Sequence, residues 1–195
     1  CWGSWANTQK MASKRWEFPL FYWDYTFGII ILSLTLGLSL GSFGENGQAF
    51  FPNLIQASLN AILLALLGGI IFNIANLLLV AAIDIAGMAT AFPIGIGIAL
   101  VLGVILNFIA VPIGDPILLF VGVGFVTSAI VVDALIYKKI SSGKSTRKGI
   151  LLSLAAGILM GFFYRFVAAS MSTDFIHPDE GLLTPYSAVF IFSIG

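Results

Sequence analysis

Residues 59–82, LNAILLALLGGIIFNIANLLLVAA, contain no charged side chain and only three amides, Asn60, Asn73 and Asn76, among apolar and small residues. At ~1.5 Å per residue a helix of this length reaches roughly 36 Å, enough to cross the ~30 Å hydrocarbon core of a bilayer. Lipid offers no partner for an unpaired backbone amide, so a run that enters it closes its hydrogen bonds internally as a helix.

The neighbouring stretches have the same character. We read spans over residues 18–40, 88–111, 116–137 and 150–171, the tail of an earlier span over residues 1–8, and the start of a further one from Leu182. Composition agrees: 59% of residues are hydrophobic and 9% charged, and a mean hydropathy of +1.04 excludes a soluble globular domain. The fold class is therefore an all-α, multi-span integral membrane bundle whose first partner is the lipid bilayer. A formal net charge of zero gives no reason to expect nucleic acid or acidic partners. Cys1 alone forms no internal disulfide, and no secretory signal is visible.

Charge is concentrated. Eight of the nine Lys and Arg residues fall in two stretches, residues 10–15 and 138–148. The loops between them in register carry acids instead: Glu45, Asp115, and the group Asp174, Asp179 and Glu180. The positive-inside rule places both basic stretches in the cytosol, in a multi-pass protein of the cell membrane whose N-terminal side lies outside. Trp16, Phe21, Tyr22, Trp23 and Tyr25 cluster where the span after the first basic stretch enters the headgroup layer, and read as an interfacial aromatic belt. Small residues recur four apart (Gly37 and Gly41; Gly95, Ala99 and Gly103; Gly157 and Gly161), the pattern of helices packed backbone to backbone.

Two stretches carry a family resemblance. CWGSWANTQK at residues 1–10, followed by FPLFYWDY at 18–25, resembles the start of the ureide permease family and its bacterial relatives in the drug/metabolite transporter superfamily. The run GGIIFNIANLLLVAAIDIAGMATAFPIGIGIALVLG, residues 68–103, continues the likeness. The resemblance implies a ten-helix carrier built from two inverted five-helix repeats, with substrate bound between them and alternating access by rocking of one half on the other. On that reading residues 1–137 form the first repeat with its first helix truncated, 138–149 a basic cytosolic linker, and 150–195 the start of the second repeat. The chain opens at Cys1 inside what reads as a helix exit and stops at Gly195 within an apolar run, so a fragment of a longer transporter is expected.

Polar groups inside spans cost free energy unless they face a protein interior or water, so they are the first candidates for function. Asn73 and Asn76, at i and i+3, share one helix face; they either hydrogen-bond a neutral solute such as a ureide, nucleobase or sugar, or join helices. Pro93 removes one amide donor and frees the carbonyl of Ala89, a kink that either opens a cavity or only bends the helix. Phe92 beside it offers a stacking surface, and Trp5 and Asn7 of the opening motif complete the candidate substrate contacts with Arg165. Arg165, the ninth base, lies about 23 Å along its span from Ile150; it either meets substrate or snorkels outward to Asp174 or Glu180. Asp24, about 9 Å into its span, either takes up a coupling proton or pairs with Lys14 or Arg15 near the headgroups. Asp133, close to Tyr137 and Lys138, reads as structural.

Other chemistries find little support. Gly143-Lys144-Ser145-Thr146 looks like the end of a phosphate loop, but the first glycine of that pattern falls on Lys138 and no strand precedes it. His177, Asp179 and Glu180 read as a solvated loop rather than a metal site, no catalytic constellation is present, and no cofactor is implied. The resemblance thus implies a non-enzymatic, proton-coupled permease for a ureide or nucleobase, with a sugar as the alternative cargo. A membrane-embedded binding subunit, or a homo-oligomer in which a second copy completes the cavity, is the reading of a different class.

Overall fold

The apolar runs fold as helices because every backbone amide inside them can be satisfied within its own segment. A computed structural model describes residues 7–8, 11–12, 16–43, 47–140 and 147–195. Within these it forms seven helices: α1 (Phe18–Leu38), α2 (Phe50–Gln56), α3 (Leu59–Ala86), α4 (Met88–Ala110), α5 (Pro116–Ile140), α6 (Arg147–Ser170) and α7 (Pro185–Ile194). Five of them, α1 and α3 to α6, are long and apolar enough to cross a membrane, and the protein is a multi-pass helical membrane protein. The earlier span expected over residues 1–8, with Trp5, falls largely outside the described residues, as do Lys10, Lys14, Arg15 and residues 141–146 of the basic linker.

The helix boundaries follow local chemistry. Ser58 caps α3 by accepting the Ala61 N–H at 3.2 Å. Asp115 does the same for α5, its Oδ1 lying 2.8 Å from Ile117 N. α3 continues past the apolar run to Ala86 and stops only where Gly87, at φ 80° and ψ 150°, turns the chain directly into α4. Pro93 is accommodated inside α4, which stays a single helix. The one element absent from the sequence reading is α2, which lies in a segment taken for loop.

α6 is the axis of the bundle, with α3 and α4 packed along it. Glycines set how closely they approach. A methyl group at Gly157 would stand 2.5 Å from the Gly95 carbonyl oxygen of α4, and one at Gly161 2.7 Å from Leu102 Cβ. Along α3, Gly149 would meet Ala86 Cβ at 2.5 Å, and Gly68 would meet Val167 Cγ2 at 2.5 Å. Ala75, Leu79, Ala156 and Met160 fill the space between. α5 leans on α4 and turns Ile117, Leu118 and Phe125 outward, as a lipid-facing helix does.

α7 closes the other side of α3 and also carries α1, where Ser33 and Ser193 hydroxyls meet at 3.0 Å. The acid-rich end is knotted by Asn53, which is fully buried. Its Nδ2 donates to Leu182 O at 3.1 Å and its Oδ1 accepts the Thr184 N–H at 2.9 Å. Gln56 adds bonds to Leu182 O and from Gly181 N. α2 and the approach to α7 therefore form one piece.

If backbone approach sets the bundle, Gly157→Ala should destabilise the detergent-solubilised protein by about 1–3 kcal/mol. Gly122→Ala, at a position with open space around it, should change stability far less. Thermal unfolding followed by loss of monodisperse protein measures both, and equal shifts would argue against the close-packed axis.

Candidate functional site

A cavity of about 1040 Å³ lies between the later halves of α4 and α6, backed by Phe72 of α3 and Phe192 of α7. It reaches Val111 and Ile113 after α4, and Ser172, Thr173 and Phe175 after α6. It is thus built from the half of the bundle toward the acid-rich loops, while the glycine contacts near Gly95, Gly149 and Gly157 fill the other half. The volume is ample for a small metabolite.

Most of the wall is apolar and aromatic. Phe72, Phe163 and Phe192 come from three different helices and converge as a trio, with ring centroids 4.9 Å (Phe72 to Phe163), 5.5 Å (Phe72 to Phe192) and 5.8 Å (Phe163 to Phe192) apart. Tyr164 adds an edge-on contact to Phe163 at 6.3 Å. Two polar side chains from the spans complete the wall. Asn107 donates through Nδ2 to Gly103 O at 2.7 Å, which leaves its Oδ1 as an acceptor. Arg165, half-buried in the same wall, has no hydrogen bond or ion pair among the described residues.

Neither acid suggested for Arg165 by the sequence is its partner. Asp174 turns its carboxylate onto its own loop, accepting Ile176 N–H at 2.9 Å and His177 N–H at 3.0 Å, with His177 Nδ1 3.7 Å away. The His177 backbone N–H, followed by that of Ile176, holds the Asp174 carboxyl below its usual range. It is therefore ionised and committed at neutral pH. Glu180 lines a separate polar cleft with Gln48, Gln56 and Pro178. Among the described residues no group of three metal-ligating side chains gathers anywhere.

The two asparagines of α3 belong to a different constellation. Tyr22 of α1 donates to Asn73 Oδ1 at 2.6 Å, and its oxygen accepts from Asn76 Nδ2 at 3.3 Å. Tyr22, read from the sequence as part of the interfacial belt, is thus a bridge between helices. Asn73 and Asn76 do not wall the cavity.

The remaining candidates are dispersed. Phe92 is half-buried and packs on the Ala75, Leu79, Ala156 and Met160 cluster. Pro93 sits one turn before Ile96, where the cavity begins. Asp24 is exposed on α1, away from the cavity, and Asp133 is exposed on α5. Asn7 is exposed, and Trp5 lies outside the described residues. Of the candidate substrate and coupling residues described, only Arg165 walls the cavity, together with Ala99, Gly103 and Gly161, which the sequence marked for packing; Asn107, Tyr164 and the phenylalanine trio were not singled out. Asn107 carried a readable signal, an amide near the end of an apolar span. The trio carried none within any one helix.

Comparison with known proteins bears on what this arrangement serves. The family model described as ureide permease matches residues 21–148. The chain belongs to the ureide permease family. Ureide permease 1 of Arabidopsis thaliana is 26% identical over 147 residues, covering 74% of this chain and 38% of that protein. Ureide permease 4 of the same plant is 28% identical over 142 residues, covering 70% of this chain and 35% of that protein. The chain thus spans little more than a third of the length of these ureide permease relatives. No solved structure matches it.

Tyr22→Phe and Asn73→Ala should each lower stability in detergent, and the double variant should fall short of the sum by roughly 1 kcal/mol. Strict additivity would mean that the bridge between α1 and α3 contributes nothing.

Proposed function

We propose that this chain forms part of a secondary active transporter, rather than an enzyme, that carries a ureide or nucleobase through the cavity between α4 and α6. Membership of the ureide permease family over residues 21–148 is the observation that carries this reading, and the two relatives bear the same name. The cavity supports it chemically. Phe72, Phe163 and Phe192 offer π faces to a flat solute, while the Asn107 carbonyl oxygen and the Arg165 guanidinium offer an acceptor and donors to its amide groups.

Orientation follows from charge. With residues 10–15 and 138–148 in the cytosol of a cell-membrane protein, the acid-rich end and the cavity beside it face outward, and on this reading the cavity receives solute from outside. Access then alternates as the two five-helix repeats of the family resemblance rock on each other. Proton uptake by Asp24, the carboxylate within α1, couples the cycle.

The test is uptake of labelled allantoin, uracil and glucose by cells expressing the complete gene, with and without a protonophore. Protonophore-sensitive uptake of allantoin or uracil is expected, lost in Asp24→Asn and reduced about ten-fold in Phe163→Ala, since stacking on one aromatic ring contributes on this scale. Uptake of glucose alone, or uptake indifferent to Phe163→Ala, would contradict the assignment.

A further inference from the structure

Arg165 poses a problem that a neutral cargo leaves open. A guanidinium keeps its charge at any biological pH and presents five N–H donors in a planar fork. Inside a membrane protein such a charge is costly unless paired. Here it lies 18 residues beyond Arg147, about 27 Å along α6 and roughly 7.5 Å before the helix ends at Ser170. It stands in a wall that is otherwise mostly aromatic and aliphatic.

Every acid among the described residues is engaged elsewhere or distant. Asp174 is bound by its own loop, Asp179 lies 3.0 Å from the Ser172 hydroxyl, and Glu180 walls the separate cleft. Glu17, Asp24, Asp84, Asp115 and Asp133 are exposed on other helices or turns, and none pairs with a base among the described residues. No neighbouring hydroxyl or amide accepts from it among the described residues: Ser172 is engaged within its own loop, and Asn107 bonds Gly103 through Nδ2 while its Oδ1 receives nothing from Arg165.

We propose that Arg165 is a charge-selecting residue and that the cavity takes its amide-bearing solute preferentially as a carboxylate anion. The fork of the guanidinium matches the two oxygens of a carboxylate in a bidentate pair, which is stronger and more directional than a hydrogen bond to a neutral carbonyl. The aromatic trio then receives the amide-bearing body of the solute, and Asn107 Oδ1 accepts one of its N–H groups. The inference rests on the cavity being the transport site and adds the charge of the cargo to that reading.

A matched pair of solutes isolates the charge. Hydantoin is a small neutral cyclic ureide, and its ring-opened product N-carbamoylglycinate carries the same amide groups with a carboxylate. Both are offered in labelled form to the full-length protein in liposomes. Wild type is expected to transport the carboxylate with kcat/KM about ten-fold or more above that for the ring. Arg165→Gln should bring the two within about two-fold by lowering the carboxylate alone, and Arg165→Lys should keep an intermediate preference. Should Arg165→Gln fail to insert, wild type supplies a second measurement: N-carbamoylglycinate, and not hydantoin, should protect Arg165 from phenylglyoxal as mapped by mass spectrometry.

Equal handling of the two solutes by wild type, or uptake of hydantoin alone, overturns the charge selection while leaving the transport reading intact. A preference that survives Arg165→Gln also overturns it and assigns the guanidinium to lipid phosphate. Transport of neither solute, nor of allantoin or uracil, overturns both readings together.

Discussion

Two helices in lipid gain nothing from excluding lipid tails, which are as apolar as their own side chains, so the bundle depends on how closely backbones can approach. In this chain that constraint is met along α6. Gly157 against the Gly95 carbonyl, Gly161 against Leu102, Gly149 against Ala86 and Gly68 against Val167 leave no room for a methyl group. Dispersion between surfaces in contact along whole helices then supplies the attraction that the solvent does not.

The same contacts shape the cavity. Between α4 and α6 the tight points are Gly157 against Gly95 and Gly161 against Leu102, while Gly149 against Ala86 and Gly68 against Val167 hold α3 to α6 at both ends. Beyond Gly161 the residues that separate α4 from α6 become large and aromatic, and space opens between them. Gly103 approaches Gly161, but a side chain there would begin no closer than 3.9 Å to its nearest neighbour, the Gly161 carbonyl oxygen. The cavity lies past these α4–α6 contacts, where Phe72, Phe163 and Phe192 of α3, α6 and α7 form part of its wall. The Asn53 knot fixes the rim by tying α2 to the segment that leads into α7.

Most of the architecture was legible in the sequence because lipid imposes a simple rule. An apolar run of sufficient length with no more than one charge closes its backbone bonds as a helix, and the five long helices lie where that rule puts them. It fails where stability is tertiary. FFPNLIQ, residues 50–56, is short and contains Pro52, yet it is helical because Phe50 is buried against Gly37 and Asn53 is bonded across to residues 182 and 184. Tyr22 looked like a belt residue because its partners lie 51 and 54 positions away, and only the fold brings them to it. Arg165 was conspicuous as a lone charge in an apolar run. The aromatic trio was invisible, since residues 72, 163 and 192 meet only in three dimensions.

The central claim is that the space between α4 and α6 is the path of the solute. It is tested most directly by placing a thiol at Gly103, a cavity-lining position with room for one, in a full-length background where Cys1 and every other native cysteine are replaced by Ser. Gly103→Cys should react with a membrane-impermeant maleimide added outside intact cells, and a transported solute should slow that reaction. A thiol at Gly103 that stays unreactive, or reacts at the same rate with and without saturating solute, would contradict the account.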